Sequence, residues 1–269
     1  MKIARSYLYV PGNRPERFDK ACAAGADAVI VDFEDAVPPA EKESARAAVS
    51  AWLSARKPVL VRVNAANTEW FERDIAACDA EGVAGIVLPK AEAIDARAIA
   101  LCRRREMPLF PIVETAAGMA QVESVAATPC VRSIMFGTID FQFELGLDGD
   151  GDELLYYRSR LVLASKVAGI QSPVDGPCTS WEDAALLQAD CARVRKLGFG
   201  GKLCIHPKQV AVVNAAFSPG EAEVAWARKV LDAARRSGGA AVAVDGRMID
   251  RPVILKAEQI LAQAGPVTT

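Results

Sequence analysis

The chain has 269 residues, 51% hydrophobic and 25% charged, with a formal net charge of −2. This length suits one large α/β domain or two small ones with a sizeable core. The near-neutral charge excludes an electrostatic case for nucleic acid or an anionic membrane surface as partner. From the N-terminus, MKIARSYLYVPG holds no apolar stretch of signal-peptide length and runs into a first strand, ARSYLYVP (4–11). RPERFDKACAAG follows as a helix, with Asn13 as its N-cap and Gly25 as its end. DAVIVDFE (27–34) is the second strand, and AEKESARAAVSAWLSA a helix with its charges outward. PVLVRVN (58–64), the helix TEWFERDIAACDAEG, GIVLPK (85–90) and the helix AIDARAIALCRRR continue the alternation. PLFPIVE (108–114) and SIMFGTID (133–140) are the fifth and sixth strands. QSPVDGP (171–177), weakened by two prolines, the helix DAALLQADCARVRKLG and GKLCIHP (201–207) complete the series.

Strand starts recur at roughly 25 to 35 residues, the length of a βα unit. The strands are near-continuous apolar runs, as in a parallel sheet covered on both faces. Eight such units without a glycine-rich nucleotide fingerprint predict a (β/α)8 TIM barrel over residues 1–217, ahead of a doubly wound open sheet. A C-terminal extension, 218–269, adds a helix capped by Ser218 and Pro219 and ended by Gly238 and Gly239. A hairpin turning at Asp245-Gly246 and a last helix follow. This extension packs on its own barrel or on a neighbouring subunit.

Seven cysteines, an odd number without a CxxC pair, argue against a disulfide framework and a thiolate zinc site. They indicate a reducing, cytoplasmic setting. No apolar run approaches a membrane span. The basic run at 103–106 reads as an exposed helix end. GxSxG and P-loop patterns are absent, which removes serine-hydrolase and NTPase readings.

Catalytic groups of a TIM barrel gather at the C-terminal ends of its strands. Those ends carry Asp32, Glu34, Asp35, Arg62, Asn64, Lys90, Glu114, Asp140, Asp175 and His206. Clustered carboxylates repel one another and resist ionisation. A hard divalent cation such as Mg2+ relieves this and needs only one or two protein carboxylates. Glu114 and Asp140, on adjacent strand ends, reach one ion; each is otherwise a helix cap or a turn residue. Arg62, in an apolar strand, either pairs with a core carboxylate such as Glu34 or grips a substrate anion. Lys90 snorkels to solvent or serves function. His206, the sole histidine, cannot supply a His-rich metal site and is a general base or a hydrogen-bonded strand end.

RSYLYVPG, GADAVIVDFEDAV with EKESAR, VRVN, GIVLPK, PIVETAAG, FGTIDFQFELG, LGFGGKLCIHPKQV and DGRMIDRPV occur in this order. From about residue 5 to residue 262 the chain resembles the citrate lyase β subunit and its relatives, the CitE-like branch of the HpcH/HpaI aldolase superfamily. The departures are mild: DFED for DLED, and YLYVPG for LFVPG. The resemblance implies a TIM barrel in trimers or multiples of them. The implied activity is a lyase one, cleaving or forming carbon–carbon bonds in acyl thioesters of the malyl-CoA, citramalyl-CoA or citryl type. The substrates are an acyl-CoA and a 2-oxo acid.

It also implies Mg2+ on Glu114 and Asp140, with substrate beside Glu114. It makes Arg62 the substrate-binding arginine and gives Gly137, Thr138 and Ile139 backbone N–H groups for the oxo-acid carboxylate. Glu34 and Asp35 become an acidic pair near the metal's waters. Asp250 becomes a general base that, in related malyl-CoA lyases, reaches the neighbouring subunit; it is equally a helix N-cap. Arg14 and Lys90 are candidates for the CoA nucleotide. Three rivals remain: a citrate lyase subunit acting on an acyl-carrier protein, a CoA-independent class II aldolase, and a silent binding barrel. The class II relatives use a histidine base early in the barrel, which this chain lacks.

Overall fold

The computed structural model describes residues 4–236, 242–244 and 247–264. The chain divides into two compact units, residues 1–214 and 215–269.

In the first unit eight parallel strands close into a barrel in chain order. They are β1 (Ser6–Pro11), β2 (Ala28–Asp32), β3 (Val59–Arg62), β4 (Val83–Leu88), β5 (Leu109–Val113), β6 (Met135–Phe136), β7 (Val174–Asp175) and β8 (Gly201–Cys204). Closure is direct, with Ser6, Tyr7 and Leu8 of β1 in register with Lys202, Leu203 and Cys204 of β8. The strand period of two splits the side chains. Tyr7, Ile30, Leu60, Val87, Phe110, Met135, Val174 and Leu203 fill the lumen. Their sequence neighbours face the surrounding helices, which is why the runs are apolar throughout.

The helices are α1 (Phe18–Cys22), α2 (Lys42–Trp52), α3 (Phe71–Ala77), α4 (Ala96–Arg104), α5 (Ala116–Ala120), α6 (Val122–Ala126), α7 (Thr138–Leu145), α8 (Leu155–Val167), α9 (Ala184–Leu197) and α10 (Pro207–Ala216). Side-chain caps set several starts: Asp95 accepts from Arg97 N–H at 2.8 Å and Asp183 from Leu186 N–H at 2.9 Å.

Four expectations change. Asn13 does not cap the first helix; its amide donates to Glu41 at 2.6 Å, and the helix opens as a 3-10 turn at Pro15. Residues 133–140 are not one strand. Gly137 makes the last ladder bond, N–H to the Val113 carbonyl at 3.1 Å, and its own carbonyl accepts from Phe141 N–H, starting α7. Asp140 therefore sits in the first turn of a helix, not at a strand end. Helix α8 escaped the periodic reading because apolar side chains ring it: Tyr156, Leu163 and Val167 are exposed while Leu161 and Ala164 are buried. Asp175 does not face the mouth. Val174 points into the lumen, so Asp175 points outward.

In the second unit α11 (Glu221–Arg236) and α12 (Arg251–Ala264) accompany an antiparallel pair, β9 (Val242–Val244) and β10 (Arg247–Ile249). Ala227, Val230, Ile249, Ala257 and Ile260 form its core. Pro219 precedes α11, whose start is braced by Gly220 N–H donating to Glu223 at 2.9 Å. The expected turn at Asp245-Gly246 and the helix stop at Gly238 and Gly239 lie outside the described residues. No helix among the described residues is long and apolar enough to cross a membrane.

Candidate active site

Glu114 directly follows β5 and is 3% exposed. Helix capping does not explain it: Thr115 caps α5, its hydroxyl accepting from Gly118 N–H at 3.0 Å. Glu114 Oε1 accepts one hydrogen bond, 2.7 Å from Lys90 N–H. Its other oxygen lies over Gly137, where a Cβ would overlap the carboxylate. Gly137 thus contributes the side chain it lacks, since its N–H is already committed to Val113. The N–H groups of Thr138 and Ile139 open α7, where helix geometry leaves them without intrahelical partners. Burial, reinforced by the charge of Glu34, pushes the Glu114 carboxyl up to about 8; Asp140 adds a smaller push in the same direction.

Arg62 ends β3. Its guanidinium forms a bidentate pair with Asp32, Nε and Nη2 each 2.7 Å from a carboxylate oxygen. A core carboxylate does pair with Arg62, as the sequence suggests: Glu34 is one partner, and Asp32 makes the bidentate pair because it stands in register with Arg62 across the β2–β3 ladder. N–H groups of Glu34 and Ala36 brace it at 2.9 and 3.1 Å. Burial alone would raise the Asp32 carboxyl; Arg62 and these N–H groups outweigh it and hold the group below its ordinary range.

The third nitrogen, Nη1, is 2.9 Å from Glu34 and 3.5 Å from Asp35. The contact to Glu34 Oε2 is an ion pair without hydrogen-bond alignment, so that shielded oxygen has no hydrogen-bond donor. Glu34 Oε1 accepts from Lys90 Nζ at 2.8 Å. Lys90 therefore does not simply snorkel. It spans Glu34 and Glu114 from a left-handed backbone, φ 49°, a conformation that costs about 1 kcal/mol or more at a non-glycine residue. Tyr9, a lumen residue of β1, lies under Arg62 with the ring centroid 4.8 Å from Cζ.

Behind the DFED turn stands a brace that sequence reading did not find. Lys42 Nζ donates to the carbonyls of Phe33 and Glu34 and to the Asn64 side chain at 2.6–2.7 Å. Asn64 donates to Asp74, and Asp74 pairs with Arg46 at 2.8 Å. The available signal was Lys42 and Arg46, four apart on one helix face, inside EKESAR.

Among the described residues no three or more His, Cys, Asp and Glu side chains group as a metal cage. Glu114 and Asp140 are two, within electrostatic reach of each other. A buried carboxylate with a free oxygen, a helix start and an exposed second carboxylate fits a hydrated hard cation that keeps sites for substrate and water. His206 is not part of this group; it follows β8 and stacks against Trp181.

The fold and the mouth together define a TIM-barrel enzyme of acid-and-cation chemistry. The model of the HpcH/HpaI aldolase/citrate lyase family matches residues 5–207, and the chain belongs to that family. A citrate lyase subunit beta-like protein of Deinococcus radiodurans is 37% identical, with 97% of each chain covered. A (3S)-malyl-CoA thioesterase and an L-malyl-CoA/beta-methylmalyl-CoA lyase of Cereibacter sphaeroides are 36% and 35% identical. Each alignment covers 97% of this chain and 94% of the relative. The structure of Mycobacterium tuberculosis CitE in complex with magnesium, acetoacetate and coenzyme A superposes with a TM-score of 0.86 at 35% identity, covering 98% and 99% of the two chains.

Proposed function

We propose that the protein is a Mg2+-dependent carbon–carbon lyase that interconverts a 3-hydroxyacyl-CoA of the malyl or citramalyl type with an acyl-CoA and a 2-oxo acid. The observation that carries this reading is Glu114, a buried carboxylate that among the described residues has one protein hydrogen bond, from Lys90 N–H, and no ion pair. Glu114 and Asp140 would hold the ion, which when bound would supply a Lewis acid for the oxo-acid carbonyl and for the alkoxide from which it forms. The N–H groups of Thr138 and Ile139, at the positive end of α7, favour the oxo-acid carboxylate. Arg62 binds substrate and offers fixed positive charge to the thioester enolate as the Cα–Cβ bond breaks. Asp32 and Tyr9 hold the guanidinium in place, while Glu34 and Asp35 would be the acidic pair near the ion's waters. Asp250 takes the proton from the acyl carbon in condensation and returns it in cleavage. A homo-oligomer, trimer or hexamer, in the cytoplasm completes the proposal; the seven unpaired cysteines suit a reducing compartment.

Thioester hydrolysis is a second reading, favoured by the relative named as a malyl-CoA thioesterase at nearly the same identity as the lyase. One assay separates the two. Purified protein with Mg2+ is given acetyl-CoA or propionyl-CoA with glyoxylate, pyruvate or oxaloacetate, and separately malyl-CoA. Product mass and free thiol are followed. The lyase reading expects a 3-hydroxyacyl-CoA in one direction and an oxo acid in the other, both lost with EDTA. Free malate with stoichiometric thiol, and no oxo acid, makes it a thioesterase. No turnover of any thioester favours a silent barrel, and turnover only of a citryl-acyl-carrier protein favours the complex subunit.

A further inference from the structure

We propose that Lys42 is a positioning residue for the carbon–carbon bond cleavage: its buried ammonium fixes the turn at Phe33 and Glu34, and through that turn the guanidinium of Arg62. The proposal deepens the lyase reading and rests on it. Lys42 is the first residue of α2 and is 5% exposed. Its ammonium has three hydrogens, and three acceptors take them. These are the carbonyls of Phe33 and Glu34, at 2.6 and 2.7 Å, and Asn64 Oδ1, at 2.6 Å. None of the three is a carboxylate. The Trp70 ring lies 5.1 Å from the same nitrogen.

Neither helix formation nor core packing explains a lysine at this position. A cation at the first residue of a helix faces the positive end of the helix dipole. A buried ammonium with neutral acceptors loses its hydration without gaining a direct ion pair. Burial pulls the amine below its ordinary range, although the charges of Asp32, Asp74, Glu34 and Asp35 oppose the shift. Local conflict of this kind is expected where a site, not the helix, sets the residue.

The turn that Lys42 pins is the one that grips Arg62. Phe33 N–H donates to the Arg62 carbonyl at 2.9 Å, tying the turn to the backbone that bears the guanidinium. The N–H groups of Glu34 and Ala36 hold Asp32, and Asp32 holds Arg62 in the bidentate pair. The Glu34 side chain lies 2.9 Å from the third guanidinium nitrogen. Asn64, fixed by Asp74 through its amide and its own N–H at 2.6 and 2.8 Å, presents its oxygen to Lys42 and keeps the ammonium centred. Fixed positive charge lowers a barrier only where negative charge develops. A loosened turn should therefore harm the transition state more than substrate binding.

Steady-state kinetics in the thioester assay, with a urea midpoint for each protein, test this on Lys42→Met, Arg46→Met, Arg62→Lys and the double variant Lys42→Met/Arg62→Lys. Lys42→Met should lower kcat roughly 10–100-fold, the scale of a displacement of about an ångström, with KM within about twofold. Arg46→Met removes the buried partner of Asp74 at the far end of the brace. It should lower the urea midpoint and leave kcat near that of the wild type. In the double variant the loss of kcat should fall well short of the product of the single losses, because both changes act through one group. If Lys42→Met does not fold, Lys42→Gln, whose amide keeps two N–H donors, carries the same comparisons. An active wild type with unchanged kcat in the folded Lys42 variant overturns the proposal. So do multiplicative losses in the double variant, or an equal loss of kcat in Arg46→Met. A wild type inert to every thioester overturns the lyase reading, and this proposal with it.

Discussion

Glu114 shows how a single residue type acquires a task from its surroundings. At the end of an apolar strand it is shielded from water, faces Glu34, and receives one backbone N–H from Lys90. The free oxygen has room because residue 137 has no side chain. Its raised ionisation has a consequence for stability. The folded-state value, about 8, exceeds that of an exposed glutamate, so the folded chain holds a proton that the unfolded chain releases. The protonated form's contribution is complete below the unfolded value and is lost as pH rises through about 8. Metal-free protein should therefore lose stability with a slope of up to about 1.4 kcal/mol per pH unit between those values. Glu114→Gln should flatten the slope, and Mg2+ should offset it in the wild type. Urea midpoints across pH 5–8, with EDTA or Mg2+, check this; an unchanged slope in Glu114→Gln would remove Glu114 as its origin.

At the scale of elements, the barrel carries a second charged cluster away from the mouth. Lys202 of β8 and Asp175 of β7 point outward to α8 and α9. There Lys202 pairs with Asp175 and Asp190 at 2.6 Å each, and Arg158 pairs with Asp175 at 2.9 Å and with Asp150 at 2.6 Å. Burial disfavours the charge on Lys202, but Asp175 and Asp190 outweigh it and hold the amine above its ordinary range. The network joins β8 and β7, a strand of only two residues, to the helices covering them. Removing one partner from a buried pair costs far more than the pair contributes, because a charge is left behind. Lys202→Met should destabilise the protein by about 3–5 kcal/mol, read as a fall in urea midpoint. The affinity of the folded protein for Mg2+ should stay within twofold, since the cluster lies outside the lumen. A Lys202→Met variant of wild-type stability would show that Arg158 and Arg193, which pairs with Asp150 and Asp190, neutralise the acids without it.

The chain comprises a barrel unit and a short second unit, and the second carries Asp250. There its side chain accepts from Val253 N–H at 3.3 Å and its carbonyl from Ile254 N–H at 3.0 Å, so it caps α12. Capping leaves the exposed carboxylate able to serve chemistry as well. Asp250→Asn keeps the cap geometry and should lower turnover by about 10²–10⁴ with little change in Kd for CoA, the usual range for a lost general base. If the base serves a neighbouring subunit, co-expression of Asp250→Asn with Arg62→Lys should yield mixed oligomers containing intact sites. Activity would then recover well above either variant alone. Failure to recover, with mixed oligomers shown by mass, places Asp250 in its own subunit's site or outside the chemistry.

Much was legible in the chain itself. The spacing of apolar runs determined eight βα units, because a doubly covered parallel strand must be apolar on both sides. The order of eight motifs determined the family. The polar residues that interrupt strand ends, Arg62, Lys90 and Glu114, marked the mouth, because buried charge in an apolar run needs a partner. What only the tertiary structure decided was the pairing. Asp32 makes the bidentate grip on Arg62 and Glu34 takes only its third nitrogen, since ladder register sets which side chains meet face to face. Asp140 rides a helix start because Gly137 ends its ladder and turns the chain. Asp175 faces outward because Val174 claims the lumen, and the period of two leaves the next residue no choice.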